Sequence, residues 1–145
     1  MKKILLTLSI MLLLSGFSAA FAQKIAVVDV QAVVNKSAQV AELKKEQKAK
    51  MADLEKWLET VRADVNKQQT AEGKEKLLKK YNSEFAKKKE TIAKEYKTKL
   101  SAIDKSITET ITSKAKSLGY DMVISKSMVI MGGDDITAEV QKIVK

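Results

Sequence analysis

Cysteine, histidine and proline are all missing from the 145 residues of this chain, and each gap closes off some chemistry. Without thiols there is no disulfide to staple a small core. Without thiolate or imidazole, the usual structural zinc sites, Cys-His pairs and Ser-His-Asp triads are excluded. A carboxylate-only metal or glycosidase site survives on paper, yet no pattern supports one, and no glycine-rich phosphate loop is present. The chain therefore reads as no enzyme, with no metal and no cofactor. The absence of proline works the other way, because long helices can then run without a lost hydrogen bond or a ring clash.

What is there begins with a leader. Lys2 and Lys3 precede an apolar run from Ile4 to Leu14, and small residues end in Ala20-Phe21-Ala22. This pattern predicts a signal peptide over residues 1–22, cleaved after Ala22; its 11-residue apolar run is too short to span about 30 Å of hydrocarbon. Export makes ATP-driven cycles poor candidates. It also counts against nucleic acid, as does the preference for Lys over Arg, 24 to 1 from Gln23 onward, which suits base readout badly.

From Gln23 to Lys145 the chain carries 25 basic and 18 acidic residues. The distribution says more than the total: Lys74 to Lys99 holds 10 basic and 4 acidic residues, while the flanking stretches are nearly balanced. A concentrated positive stretch raises the local concentration of acidic partners, over a range that salt screens to about 10 Å.

Apolar residues recur at helical spacing through Val40, Leu43, Met51, Leu54, Leu58, Val61 and Val65, with Gln47 the one polar position in the stripe. Ser37 suits the N-cap. The stripe resumes as Leu78, Tyr81, Phe85, Ile92, Tyr96, Ile103, Ile107, Ile111, Ala115 and Leu118, and Gly119 stands in the C-terminal glycine position. Two helices of roughly 33 and 44 residues, about 50 and 65 Å long, are expected. One continuous rod would hide neither stripe, so an antiparallel hairpin over 37–118 is expected, with its tip near 68–73.

The chain ends have a different period. Lys24 to Val30 reads as a strand, followed by a short helix, within a body segment 23–36, and Tyr120–Ser125 with Lys126–Met131 reads as a strand pair within 119–145. Asp135 or Thr137 can cap a last helix whose apolar side is Ile136, Val140, Ile143 and Val144. Asp29 and Gln31 are placed to turn the chain toward the long helix. The fold expected is α+β and mostly helical, a long helical arm projecting from a small sheet body built by both chain ends. Three strands and one helix make a thin core with exposed edges, which points to self-association.

Taken in order, Lys24-Ile25-Ala26-Val27-Val28-Asp29-Val30-Gln31, the Lys/Glu/Gln-rich middle, Tyr120-Asp121-Met122-Val123-Ile124 and Asp135-Ile136-Thr137-Ala138-Glu139-Val140 resemble the Skp/OmpH family of periplasmic chaperones. The resemblance implies a homotrimer in the periplasm, with sheets joined into a body and helical arms around a cavity. That cavity would hold unfolded outer-membrane β-barrel proteins without ATP before their insertion. It also implies a lipopolysaccharide or anionic-membrane contact on a basic arm site, matched here by Lys87, Lys88 and Lys89.

The candidate client contacts are Met51 and Trp57, for their soft apolar surfaces, with Lys79, Lys80, Lys87, Lys88 and Lys89 as the charged set. Trp57 has two readings: it faces a client, or it packs on the partner helix near Phe85. The lysine run also has two, an anion-binding patch or a solvated face. Since the stripe must pass through Lys88 or Lys89 between Phe85 and Ile92, a lysine is expected on the seam, opposite Leu54 and Glu55, with Glu55 a possible partner and the arm loosened there. Ile25, Val27, Val123 and Ile130 are the candidate subunit interface. The competing function is a periplasmic structural or adaptor coiled coil whose folded partner binds outside the hairpin.

Overall fold

The structure, a computed structural model, describes residues 23–145; the leader over 1–22 and its cleavage point lie outside them. In chain order the elements are β1 (Ile25–Val28), α1 (Val30–Lys36), α2 (Ala38–Lys67), α3 (Ala71–Ser117), β2 (Met122–Ser125), a 3₁₀ turn (Lys126–Met128), β3 (Asp134–Asp135) and α4 (Thr137–Gln141). The sheet has the order β2-β1-β3, with both outer strands parallel to β1. Parallel pairing requires a long crossover, and between β1 and β2 the crossover is the whole helical hairpin.

Alternation along β1 decides the two faces of the sheet. Ala26 and Val28, both fully buried, point into a cluster with Val33 of α1, Ile107, Ile111 and Ala115 of α3, and Ile136 and Val140 at α4. Val123, opposite Ala26, packs against the same cluster. The other face of β1 is covered by the chain returning to β3: a Cβ at Gly133 would lie 2.5 Å from Val27 Cγ2, and Gly133 has φ +81°. Only glycine fits there.

The second strand expected over Lys126–Met131 does not form. Lys126–Met128 makes a 3₁₀ turn, and the third strand is Asp134–Asp135 instead. A tight reversal needs residues that accept positive φ, and the first ones after β2 are Gly132 and Gly133. The chain therefore runs past the sheet before it can turn back to the free edge of β1.

Caps define the helices. Asp29 accepts from Ala32 N at 2.9 Å and starts α1, the turning role expected of it. Buried Ser37 accepts from Val40 N and starts α2, while its hydroxyl donates to Lys145 O. Thr70 accepts from Gly73 N and starts α3, so the tip is only Gln68-Gln69-Thr70, tighter than the span 68–73. At the far end, Gly119 N–H bonds to Lys116 O and Tyr120 N–H to Ala115 O, a Schellman motif with Gly119 at φ +81°.

The helices have 30 and 47 residues, about 45 and 70 Å at ~1.5 Å per residue. The longer one overshoots its partner, and the excess, Ile107 to Ala115, forms the floor of the body. Beyond the body the arm has a narrow seam with Leu43 and Leu54 buried, while Met51, Leu78, Tyr96 and Leu100 remain exposed. Two helices alone cannot cover a broad apolar stripe. Near the tip the half-buried position is Leu77, not Leu78.

Candidate functional site

The chemistry-bearing residues of the arm gather at one level of the hairpin, between two clasps. The clasp nearer the body is ionic. Glu46 and Lys50 lie one turn apart on α2, and Glu95 and Lys99 one turn apart on α3, so each pair presents both charges on one face. Across the seam Lys50 pairs with Glu95, Lys99 lies 2.5 Å from Glu46, and Lys50 closes the set at 3.1 Å from Glu46. Hydrogen bonds from Lys99 and then Lys50 hold the Glu46 carboxyl below its ordinary value of 4.5, and Glu95 and Glu46 push Lys50 above 10.5.

The clasp nearer the tip is aromatic. Trp57 of α2 lies parallel to Phe85, with centroids 6.2 Å apart, and meets Tyr81 edge-on at 5.9 Å. Packing on the partner helix is thus the arrangement adopted by Trp57. Tyr81 Oη donates to Asp64 at 2.8 Å, and this bond raises the Tyr81 pKa above 10.0.

Between the clasps the seam fails to close. On the α3 side the inward position between Phe85 and Ile92 falls to Lys88, whose ammonium cannot fill an apolar gap and leaves it for the face of Trp57, 5.3 Å from the ring centroid. A cleft of about 380 Å³ remains, with Leu54, Trp57 and Ile92 as its apolar walls and Lys50, Asp53, Lys87, Lys88, Thr91 and Glu95 around them. Its size lies at the low end of small-ligand pockets. Lys88 does not meet Glu55: among the described residues no ion pair joins them, and the indole takes the ammonium instead.

The expected contact residues divide accordingly. Trp57, Lys87 and Lys88 come together at the cleft. Lys89 stands over the Phe85 ring at 5.5 Å, and Lys80 over Tyr81 at 5.8 Å. Lys79 is tied to Glu75 at 2.7 Å on its own helix, and Met51 lies exposed outside the cleft. The sequence reading missed Leu54 and Ile92 as cleft walls and the ionic clasp altogether. The i,i+4 pairs Glu46/Lys50 and Glu95/Lys99 were a signal for the clasp, but only the hairpin register brings them face to face.

The four candidate interface residues are placed unequally, and Ile130 lies outside the sheet. Val27 is buried within its own chain, Ile25 and Val123 are half-buried, and Ile130 is fully exposed at 104 %, flanked by Met128 and Met131. No group of acidic residues among the described ones is arranged to hold a metal ion, and no described helix is long and apolar enough to cross a membrane.

A small parallel sheet carries a long two-helix arm, with lysines beside an apolar cleft on the arm and an exposed apolar loop on the body, a mostly helical architecture of the coiled-coil arm type. A family model described as outer membrane protein (OmpH-like) matches residues 24–144, and the chain belongs to the OmpH family. This is a periplasmic chaperone family with a chaperone-like role toward outer-membrane proteins. Comparison with the curated proteins gives no match.

Proposed function

We propose that this protein is an ATP-independent holdase of the periplasm, exported by cleavage after Ala22, that encloses unfolded outer-membrane β-barrel proteins between the arms of a homotrimer. The observation that carries the reading is the unfinished surface of the arm. Its seam is too narrow to bury Met51, Tyr96 and Leu100, and Lys87, Lys88 and Lys89 have no carboxylate within 4.0 Å among the described residues. Many weak apolar contacts within a positive field suit a client that must be kept from pairing its strand edges and then released without fuel.

Self-association supports the same reading. Met128, Ile130 and Met131 form an exposed apolar loop beside a three-stranded sheet with open edges. Another copy is the simplest cover for such a loop. Ile130 is the main contact in this proposal, with half-buried Ile25 and Val123 as further candidates on opposite faces of the sheet, and Val27 supports the sheet from within. Lys87 to Lys89 are also proposed to meet anionic surfaces such as lipopolysaccharide.

Native mass measured alone and with one denatured barrel protein, together with light scattering during refolding, tests the proposal. The expected result is a trimer that takes up one client and suppresses its scattering. A monomer that leaves the scattering unchanged overturns it. A complex with one folded partner and no suppression would instead favour an adaptor.

A further inference from the structure

We infer that the cleft between the two clasps is a side-chain slot that receives one apolar residue of an extended client, aromatic by preference, with an acidic residue two positions away; this rests on the chaperone reading above and assigns it a site. The cavity arises because Lys88 occupies the place where an apolar residue would have closed the seam. Its walls, Leu54, Trp57 and Ile92, offer an apolar surface with one aromatic face.

Charge decides the neighbour. Lys50 is already taken up by Glu46 and Glu95, so among the described residues the cations at the rim without a carboxylate partner are Lys87 and Lys88, against one carboxylate outside that ionic set, Asp53. The slot therefore presents an excess of positive charge on one side. In an extended chain residues i and i+2 point the same way, about 6–7 Å apart. A client side chain seated against Trp57 thus brings the residue two places away over the arm surface, where a carboxylate meets Lys87 or Lys88. Lys88, already over the indole face, is positioned to exchange its cation–π contact for that carboxylate.

Trp57 is the only tryptophan in the sequence, so its emission reports the slot directly. The chain from Gln23 onward is titrated with three short tryptophan-free peptides of β-branched residues, alike except for a central Asp-Val-Phe, Lys-Val-Phe or Asp-Val-Ala. The Asp-Val-Phe peptide should shift Trp57 emission saturably and bind at least about tenfold more tightly than either of the others. The exposed double change Lys87→Gln with Lys88→Gln should erase the preference for Asp over Lys and keep that for Phe over Ala. Thr91→Phe, which fills the slot, should abolish binding of all three, with circular dichroism checking that the helices persist.

Unchanged emission with every peptide, or equal affinities for the three, overturns the slot. If scattering by a refolding barrel protein is still suppressed in that event, the slot alone falls and the chaperone reading stands. If the peptides bind as expected but scattering is not suppressed, the chaperone reading falls and a peptide site remains.

Discussion

Lys88 interrupts the apolar stripe of α3 at one helical position, and the consequence spreads to its neighbours. A lysine stem can lie along the seam, but its ammonium cannot stay there unpaired, so it moves to the quadrupole of Trp57. That a lysine falls on the seam was readable from spacing. Its partner was not, because choosing Trp57 over Glu55 depends on side-chain directions across the hairpin. Trp57 in turn holds Phe85 and Tyr81 together, and Trp57→Ala should cost about 1–3 kcal/mol, below the ~3–5 of a fully buried aromatic because the indole is only half-buried. A urea melt followed by circular dichroism checks this.

Two residues of the body separate folding from assembly. Gly133→Ala puts a methyl against Val27 at positive φ and should lower stability by upward of about 1 kcal/mol, visible as a fall in the thermal midpoint. Ile130→Asp changes a fully exposed side chain and should leave secondary structure intact while shifting sedimentation toward the monomer. Unchanged sedimentation would remove this loop from the proposed interface.

Among the elements, the hairpin is uneven along its length. The end of α3 over 103–111 is held by the body, whereas 85–92 borders an open cleft. Amide exchange should accordingly be faster at 85–92 than at 103–111. Raising the salt should speed exchange at 46–54 and 91–99 further, since the ionic clasp is partly solvent-exposed and screened. Equal protection along the whole of α3 would contradict the uneven hairpin.

The start of α4 is tied by a different network. Asp29 N–H donates to Thr137 Oγ1 at 2.9 Å, Thr137 Oγ1 and N both donate to Asp135 Oδ1, and Lys126 Nζ lies 2.7 Å from Asp135 Oδ2. Lys126, and after it Thr137, hold the Asp135 carboxyl far below its ordinary value of 3.8. A depressed carboxyl stabilises the fold fully above its unfolded pKa, and the contribution is lost as pH falls toward the folded one. Exchange protection of β3 and α4 should therefore begin to weaken as pH falls below about 4, and Asp135→Asn should flatten that dependence. The Asp-Ile-Thr sequence announced a helix start, but the N-cap position falls to Ile136, which makes no side-chain capping bond, and not to Asp135 or Thr137; the reach back to β1 and across to Lys126 belongs to the sheet topology.

For the whole molecule, the decisive contrast is between a body with a small buried cluster and an arm with almost none. Val28, Val33 and Val140 are fully buried, while large apolar side chains on the arm and on the loop 128–131 are left to solvent. A chain arranged this way gains by meeting copies of itself and unfolded partners, which is the logic of the proposed cage. In analytical ultracentrifugation across a dilution series the chain should sediment as an assembly at micromolar concentration.

The sequence by itself determined the long helices, their caps at Ser37 and Gly119, the positive middle and a first strand, expected over Lys24–Val30 and formed at Ile25–Val28 because Asp29 caps a helix that takes in Val30; each depends on local periodicity, on a single side chain or on composition. Tertiary structure alone decided that the third strand is Asp134–Asp135 and not Lys126–Met131, that the sheet is parallel about β1, that Val27 is covered by its own chain, and that Lys50, Trp57 and Lys88 converge around a cleft. These depend on which residues meet across the hairpin and on where the chain can first turn, and pairings between distant segments leave no local period to read.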